Sequence, residues 1–378
     1  MKNLPFKKSK EMSIGVELEY QLIDPISFNL VSRAKDLIRN ISASKYSTLI
    51  KPEITQSMIE INSSIHTSVK DLYKELKGVH DFLLIQSKKL GIRICGGGTH
   101  PCRKWASGKI FPTKRFKNKS HLYRFLSKRS TVFGFHVHIG CLNADDALYL
   151  THALARYVPH FIAISASSPF YEKTDTGFDT TRITDFNSFP TSGVIPYLLT
   201  WSEFSSYFYK MKKVGIVSTM KDFYWDVRPK PEFGTVEIRV CDTPLTIEKV
   251  IMITAYIQTV SYYLLHERPV NISHNLYNFY SFNRFLACRY GLESQIIDPH
   301  KMHYQSITDD IKETISKIQK YTKKLNTSKY IKQITQDVEN KNNDAQILKD
   351  IYKQYGSFSK VVHEQCKMWE KNSARSKK

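Results

Sequence analysis

The chain has 378 residues, 41% hydrophobic and 12% aromatic, a composition that can bury a real core and excludes a disordered chain. Lys and Arg number 56 against 35 Asp and Glu, giving a formal charge of +21. That excess admits nucleic acid, acidic membrane surfaces and polyanionic small molecules as partners without choosing among them.

In chain order, residues 1–12 are basic and lack the apolar core of an export signal, so they read as a flexible arm. Residues 14–23, IGVELEYQLI, alternate apolar and polar side chains, the pattern of a half-buried strand with Glu17 and Glu19 on one face. In PEITQSMIEIN, Glu53 and Glu60 lie seven apart, which on one straight strand would put them on opposite faces; a bend at Thr55-Gln56-Ser57 is expected instead. Val69, Leu72, Leu76, Val79 and Leu83 follow helical spacing, with Ser68 as N-cap and Gly91 as stop. A short strand at 92–95 then enters Gly96-Gly97-Gly98-Thr99-His100-Pro101, a loop that serves as well for a tight turn as for a phosphate. Residues 133–141, FGFHVHIGC, place His136 and His138 on one strand face.

Asn143 caps an apolar helix from about 145 to 166 that Pro159 interrupts. Residues 167–193 are too polar and turn-rich for core and read as an ordered binding loop. Residues 223–228 and 234–242 form an antiparallel pair joined through 229–233, with Glu237 and Arg239 sharing a face, as do Asp226 and Arg228. From Thr246 the pattern is helical to the end, lysine-rich beyond Met302, and closes on a disordered basic tail, KNSARSKK. The expected organisation is a catalytic sheet unit over 13–300, a helical extension over 301–370 packed on it, and the tail at 371–378. Six scattered cysteines without a Cys-x-x-Cys pair, and no stretch of about 18 uncharged apolar residues, point to reduced thiols, a cytoplasmic location and no membrane partner.

The strand-like segments offer ionisable or polar pairs at i, i+2 spacing: Glu17/Glu19, Glu60/Asn62, His136/His138, Asp226/Arg228 and Glu237/Arg239. A solvated sheet face explains any one of them. Solvated strands in so basic a chain would carry lysine, however, and these carry Glu, His and Arg. Clustered carboxylates repel unless a cation neutralises them, and an oxygen-rich set with one imidazole suits Mg²⁺ or Mn²⁺ better than zinc. Metal-bound carboxylates facing arginine are a common device for phosphoryl transfer.

Seven blocks, IGVELEYQLID, PEITQSMIEIN, GGGTHP, FGFHVHIG, SASSPFYEKTDTGFDTTR, DVRPKPEFGTVEIRVCDTPLT and FNRFLACRYGL, resemble in order those of the carboxylate-amine ligases of the type-2 glutamate-cysteine ligase family. The resemblance spans about residues 14–298 and implies an α+β, glutamine-synthetase-like fold: a curved antiparallel sheet backed by helices, with ATP and metal on its concave face. It implies that ATP phosphorylates a substrate carboxylate and that an amine then attacks the acyl phosphate, giving an amide and ADP. Glutamate and cysteine are the default small-molecule substrates, and a homodimer is implied. By position, Glu17, Glu19, Glu53, Glu60, His136 and Glu237 match metal ligands, and Arg239 matches the arginine facing the γ-phosphate. The catalytic set is then Arg239, Glu237 and Glu19. Arg228 and Lys230 join Arg239 as nucleotide contacts; Arg182, His138 and Thr99 are candidates for substrate, and Arg228 is a second candidate for its carboxylate. The C-terminal YGSFSKVVHEQCKMWEKN departs from the arginine-bearing stretch of the family. A metal-dependent hydrolase, a nucleic-acid-binding protein and a non-catalytic relative are the rival readings.

Overall fold

Period-two alternation builds the central sheet. On the strand Ile14–Ile23, Ile14, Val16, Leu18, Tyr20 and Leu22 enter the core while Glu17, Glu19 and Gln21 face the other way. The Gly134–Gly140 strand does the same with Phe135, Val137 and Ile139 against His136 and His138. The computed structural model describes residues 3–371, and in it these strands join a seven-stranded antiparallel sheet. The order is Val227–Lys230, Thr235–Asp242, Gly134–Gly140, Ile14–Ile23, Met58–Asn62, Ile50–Pro52, with Arg93–Cys95 paired to the far end of Ile14–Ile23.

Helices Val69–Lys89, Ala144–Ala155, Val158–Ser165 and Ile247–Glu267 cover the apolar face. Ser68 caps the first of these by accepting from the Lys70 amide. Ile247–Glu267 is buried on every side from Lys249 to Leu264, the composition of a central helix rather than a surface one. No helix among the described residues is long and apolar enough to cross a membrane.

Several expectations are corrected. The helix break falls at Arg156-Tyr157, and Pro159 sits in the first turn of the second helix, where its missing amide costs nothing. Pro229 and Lys230 belong to a strand, because the tight connection needs only residues 231–234 and Gly234 supplies its positive φ of 68°. Residues 167–193, expected to be too polar for core, are partly core: Ser167, Ser168, Phe170, Thr180, Arg182, Ile183 and Asp185 are buried, their polar groups largely taken up by backbone and carboxylate partners, while 172–175 are exposed. The helical C-terminal half is interrupted by a hairpin, Gln295–Asp298 with His303–Ser306. The arm at 3–12 is tied down, with the Lys7 amide donating to the Pro231 carbonyl at 2.9 Å and Trp201 Nε1 to the Leu4 carbonyl at 2.8 Å. The tail beyond Lys371 lies outside the described residues.

The divergent C-terminus forms the helix Phe358–Lys371 against the Arg93–Cys95 strand, where Arg93 makes a bidentate pair with Glu370 at 2.7 and 2.8 Å. Elsewhere Asp310 accepts both Arg156 guanidinium nitrogens, at 2.7 and 2.8 Å, and faces His160 Nε2 at 2.7 Å, locking the helix Ile307–Thr322 onto the break at 156–157. Removing one member of such a buried set strands the other charge. Asp310→Asn is therefore expected to lower unfolding stability by about 3 kcal/mol, read as a drop in the urea midpoint; an unchanged midpoint would show the pair to be dispensable.

Candidate functional site

The sheet register sets polar residues side by side on the uncovered face. Glu237 pairs with His138 and Arg228, Glu17 with His136 and Asn62, and Glu19 with Glu60. The expected bend between Glu53 and Glu60 is a hairpin, Ile50–Pro52 with Met58–Asn62, which folds Glu53 back beside Glu60. Two groups result: donor atoms of Glu17, His138 and Glu237 lie within 4.8 Å of one another, and so do those of Glu19, Glu53 and Glu60. A cavity of about 490 Å³ runs over this face, lined by all five of these glutamates and by His136, Arg228, Lys230 and Arg239.

The two groups are solvated and charged differently. Burial pushes Glu17 up, but hydrogen bonds to His136 and His138 outweigh it and hold its carboxyl well below the usual range. Burial likewise opposes Glu237, and the charges of Arg228 and Arg239 hold it well down. Glu19 has no such relief: burial first, then the Glu53 carboxylate, push it up to about 7, although the Gly134 amide donates to it at 2.5 Å. Burial and the surrounding carboxylates of Glu17, Glu53 and Glu19 raise Glu60 well above the usual range. Three carboxylates in contact, two of them held from ionising, form an oxygen donor set that fits a hard divalent cation such as Mg²⁺.

The histidines divide the work differently from the expectation. His136 Nδ1 lies 3.0 Å from Glu17 Oε2, and burial followed by the charge of Arg239 lowers the ring to about 4, so it is neutral and suited to donate from Nδ1 to the ionised Glu17. The cluster takes in His138 instead, whose Nε2 sits 3.3 Å from Glu17 Oε1, while Nδ1 faces the Thr235 hydroxyl at 3.1 Å.

Arg228 is not free to grip a ligand carboxylate. Its Nε and Nη2 donate to Glu237 Oε2 at 2.9 and 2.6 Å, and Nη1 donates to the Met220 and Phe223 carbonyls. It positions Glu237. Arg239 spends one nitrogen on Glu237 and turns the rest of its fork to the cavity. Arg182 lines a small adjoining pocket with Asp226, Arg239 and Arg284; it donates to the Arg239 carbonyl at 3.0 Å, and its Nε has no partner. Its approach requires Gly134, where a Cβ would stand 2.2 Å from the guanidinium. Lys230 lines the cavity with its ammonium 2.9 Å from Glu232. Thr99 lies outside the cavity, its hydroxyl donating to the Phe170 carbonyl at 2.8 Å. The glycine loop is a packing corner, since a Cβ at Gly98 would stand 2.5 Å from the Asp242 carboxyl carbon.

The sequence reading missed a set of rim cations. Lys51, Arg115, Lys119 and Lys221 line the same cavity and make no ion pair among the described residues, and Lys119 lies 4.8 Å over the Tyr224 ring. Lys51 is opposite Glu60 only through the hairpin register, and Arg115 and Lys119 share a face of the helix Lys114–Tyr123. Nothing local in the sequence marks them.

This architecture is shared with solved structures. A Francisella tularensis protein titled glutamate–cysteine ligase (gshA), in complex with AMP, superposes with a TM-score of 0.72 at 11% identity, covering 99% of this chain and 91% of that one. The family described as Glutamate-cysteine ligase family 2 (GCS2) matches residues 13–364. A Legionella pneumophila (strain Paris) protein named "Putative glutamate–cysteine ligase 2-2" is 58% identical over 369 residues, 98% of this chain and 96% of its own length. A Herminiimonas arsenicoxydans protein named "Putative glutamate–cysteine ligase 2" is 44% identical over 366 residues, 97% of this chain and 99% of its own. The chain is an ATP-dependent ligase by class, with the mixed helix and antiparallel-sheet fold of the glutamine-synthetase-like ligases. It belongs to glutamate-cysteine ligase family 2.

Glu19 gives a pH test that needs no substrate. Its carboxyl titrates near 7 when folded and near 4.5 when unfolded, so the native state holds the extra proton and stability falls as pH rises from 4.5 to 7. Without divalent cation, this loss is expected to be on the order of 3 kcal/mol, to flatten in Glu19→Gln, and to be largely restored by Mg²⁺. Denaturant midpoints measured in EDTA from pH 5 to 8 check it; parallel profiles for the two proteins would remove Glu19 from the cluster.

Proposed function

We propose that the protein joins the γ-carboxylate of glutamate to the amine of cysteine, with ATP cleaved to ADP and phosphate. The observation carrying this reading is the convergence of two carboxylate groups and several cations in one cavity, beside full-length relatives whose names carry that activity. In the reaction, a substrate carboxylate oxygen attacks the γ-phosphorus as ADP leaves; the amine then attacks the acyl carbon, and phosphate departs.

Glu17, His138 and Glu237 would hold one cation and Glu19, Glu53 and Glu60 a second, with His136 keeping Glu17 oriented from behind. Mg²⁺, or Mn²⁺ in its place, would neutralise phosphate charge when bound there. Arg239, fixed by Glu237, offers its remaining nitrogens to the phosphoryl oxygens, where a bidentate contact strengthens as charge moves onto them. Arg228 holds Glu237 so that Arg239 does not drift. Arg182, with an unpartnered Nε in its small pocket, is suited to an amino-acid carboxylate. We place the enzyme in the cytoplasm as a homodimer, with residues 13–300 as the catalytic unit and 301–370 supporting it.

Purified protein with ATP and Mg²⁺ should release ADP only when both glutamate and an amine are present, and cysteine should give a γ-glutamyl product by mass. Stimulation by another amine would rename the substrate, and turnover without ATP would favour a metal-dependent hydrolase. Arg239→Lys should lower kcat about 100-fold with little change in nucleotide affinity, measured by steady-state kinetics beside equilibrium binding. An unchanged kcat would take Arg239 out of phosphoryl transfer.

A further inference from the structure

Phe233 stands at the tip of the connection between the strands Val227–Lys230 and Thr235–Asp242 and is 49% exposed. Of the large apolar side chains exposed to this degree or nearly so among the described residues, it alone lines the cavity. Its position is fixed. Gly234 turns the chain with a φ of 68° and packs so closely on the N-terminal arm that a Cβ there would stand 1.8 Å from the Lys7 carbonyl oxygen. The Lys7 amide donates to the Pro231 carbonyl at 2.9 Å, so the arm at 3–12 braces the turn from outside. Inside, Lys230 Nζ lies 5.1 Å from the ring centroid, and the His138 ring meets Phe233 edge-on at 6.5 Å.

With the Lys230 ammonium and the His138 edge against it, the ring still leaves half its surface to water at the mouth of a charged cavity, where a planar base can stack. The spacing suits a nucleotide. Glu237 and Arg239 lie two and four residues beyond Thr235 on the same strand, roughly 7 and 13 Å along it at about 3.3 Å per residue. A purine set on Phe233 would therefore leave its ribose and phosphates running along the strand toward the Glu17, His138 and Glu237 group and the Arg239 fork. The opposite end of the cavity, at Glu53 and the Arg115 and Lys119 rim, is left for the other substrates.

We propose that Phe233 is the stacking platform for the adenine base of ATP, with Lys230 beside it facing the first phosphates. This rests on the ligase reading above and adds the direction in which the nucleotide lies. It also gives the N-terminal arm a positioning role, since the arm braces the turn that carries the ring.

The test is calorimetric binding of two probes to the full chain in Mg²⁺: a non-hydrolysable ATP analogue and inorganic tripolyphosphate. Base stacking on an aromatic ring is worth roughly 10- to 100-fold in affinity. Phe233→Ala should weaken the nucleotide by about that factor and leave tripolyphosphate unchanged, while Phe233→Trp keeps nucleotide affinity. Equal weakening of both probes would assign the effect to the phosphate end and overturn the platform, as would unchanged nucleotide binding in Phe233→Ala. Failure of the unmutated protein to bind either probe would instead overturn the ligase reading, and the platform with it.

Discussion

The constraint on which the rest of the molecule depends is repulsion among carboxylates on one sheet face. Antiparallel register places Glu19 directly across from Glu60, and the Ile50–Pro52 hairpin brings Glu53 onto them. A sheet tolerates like charges in cross-strand positions poorly. Such a trio persists because the apolar side is packed heavily enough to carry the cost: Leu18, Tyr20, Ile59 and Ile61, neighbours of the same glutamates, are buried against the long helices. Packing on one face fixes the register, and the register imposes the charge cluster on the other.

The second carboxylate group shows the opposite solution. Glu237 is saturated by Arg228 and Arg239, and Glu17 by two histidines, so both carry their charge at neutral pH. One end of the cavity is therefore largely compensated by its own cations and imidazoles, while the other relies on raised carboxyl pKa values. Arg228 makes this possible because its nitrogens are taken up by Glu237 and two backbone carbonyls. A lysine there would supply the charge without the fixed fork.

Much of this was legible in the residues. Strict alternation in IGVELEYQLI and FGFHVHIG gave the strands and their polar faces, because a two-residue period survives any tertiary context that buries one side. The odd spacing of Glu53 and Glu60 was enough to demand a turn. What stayed hidden was nonlocal. Which histidine is spare depends on His136 meeting Glu17 across the sheet, and whether Arg228 is free depends on carbonyls at Met220 and Phe223. The loop at 167–193 looked too polar for core because its burial rests on hydrogen bonds to Asp242 and to distant backbone, which leave no hydrophobic period. The surroundings of Thr99 are nonlocal too: its hydroxyl donates to the Phe170 carbonyl, and the glycines before it pack on Pro244 and Asp242.

The net charge of +21 gains a meaning from its placement. Lys51, Arg115, Lys119 and Lys221 surround an acidic floor without pairing to it, although opposite charges so near would ordinarily close on each other. The strands hold Glu17, Glu19, Glu60 and Glu237 down on the sheet, while Arg115 and Lys119 project from a separate helix, Lys221 from a connection and Lys51 from the edge strand Ile50–Pro52. A bare polyanion is drawn by the rim and repelled by the floor; a bare divalent cation meets the reverse. A ligand carrying both signs satisfies the two surfaces at once, which is the electrostatic character that the proposed reaction asks of its site.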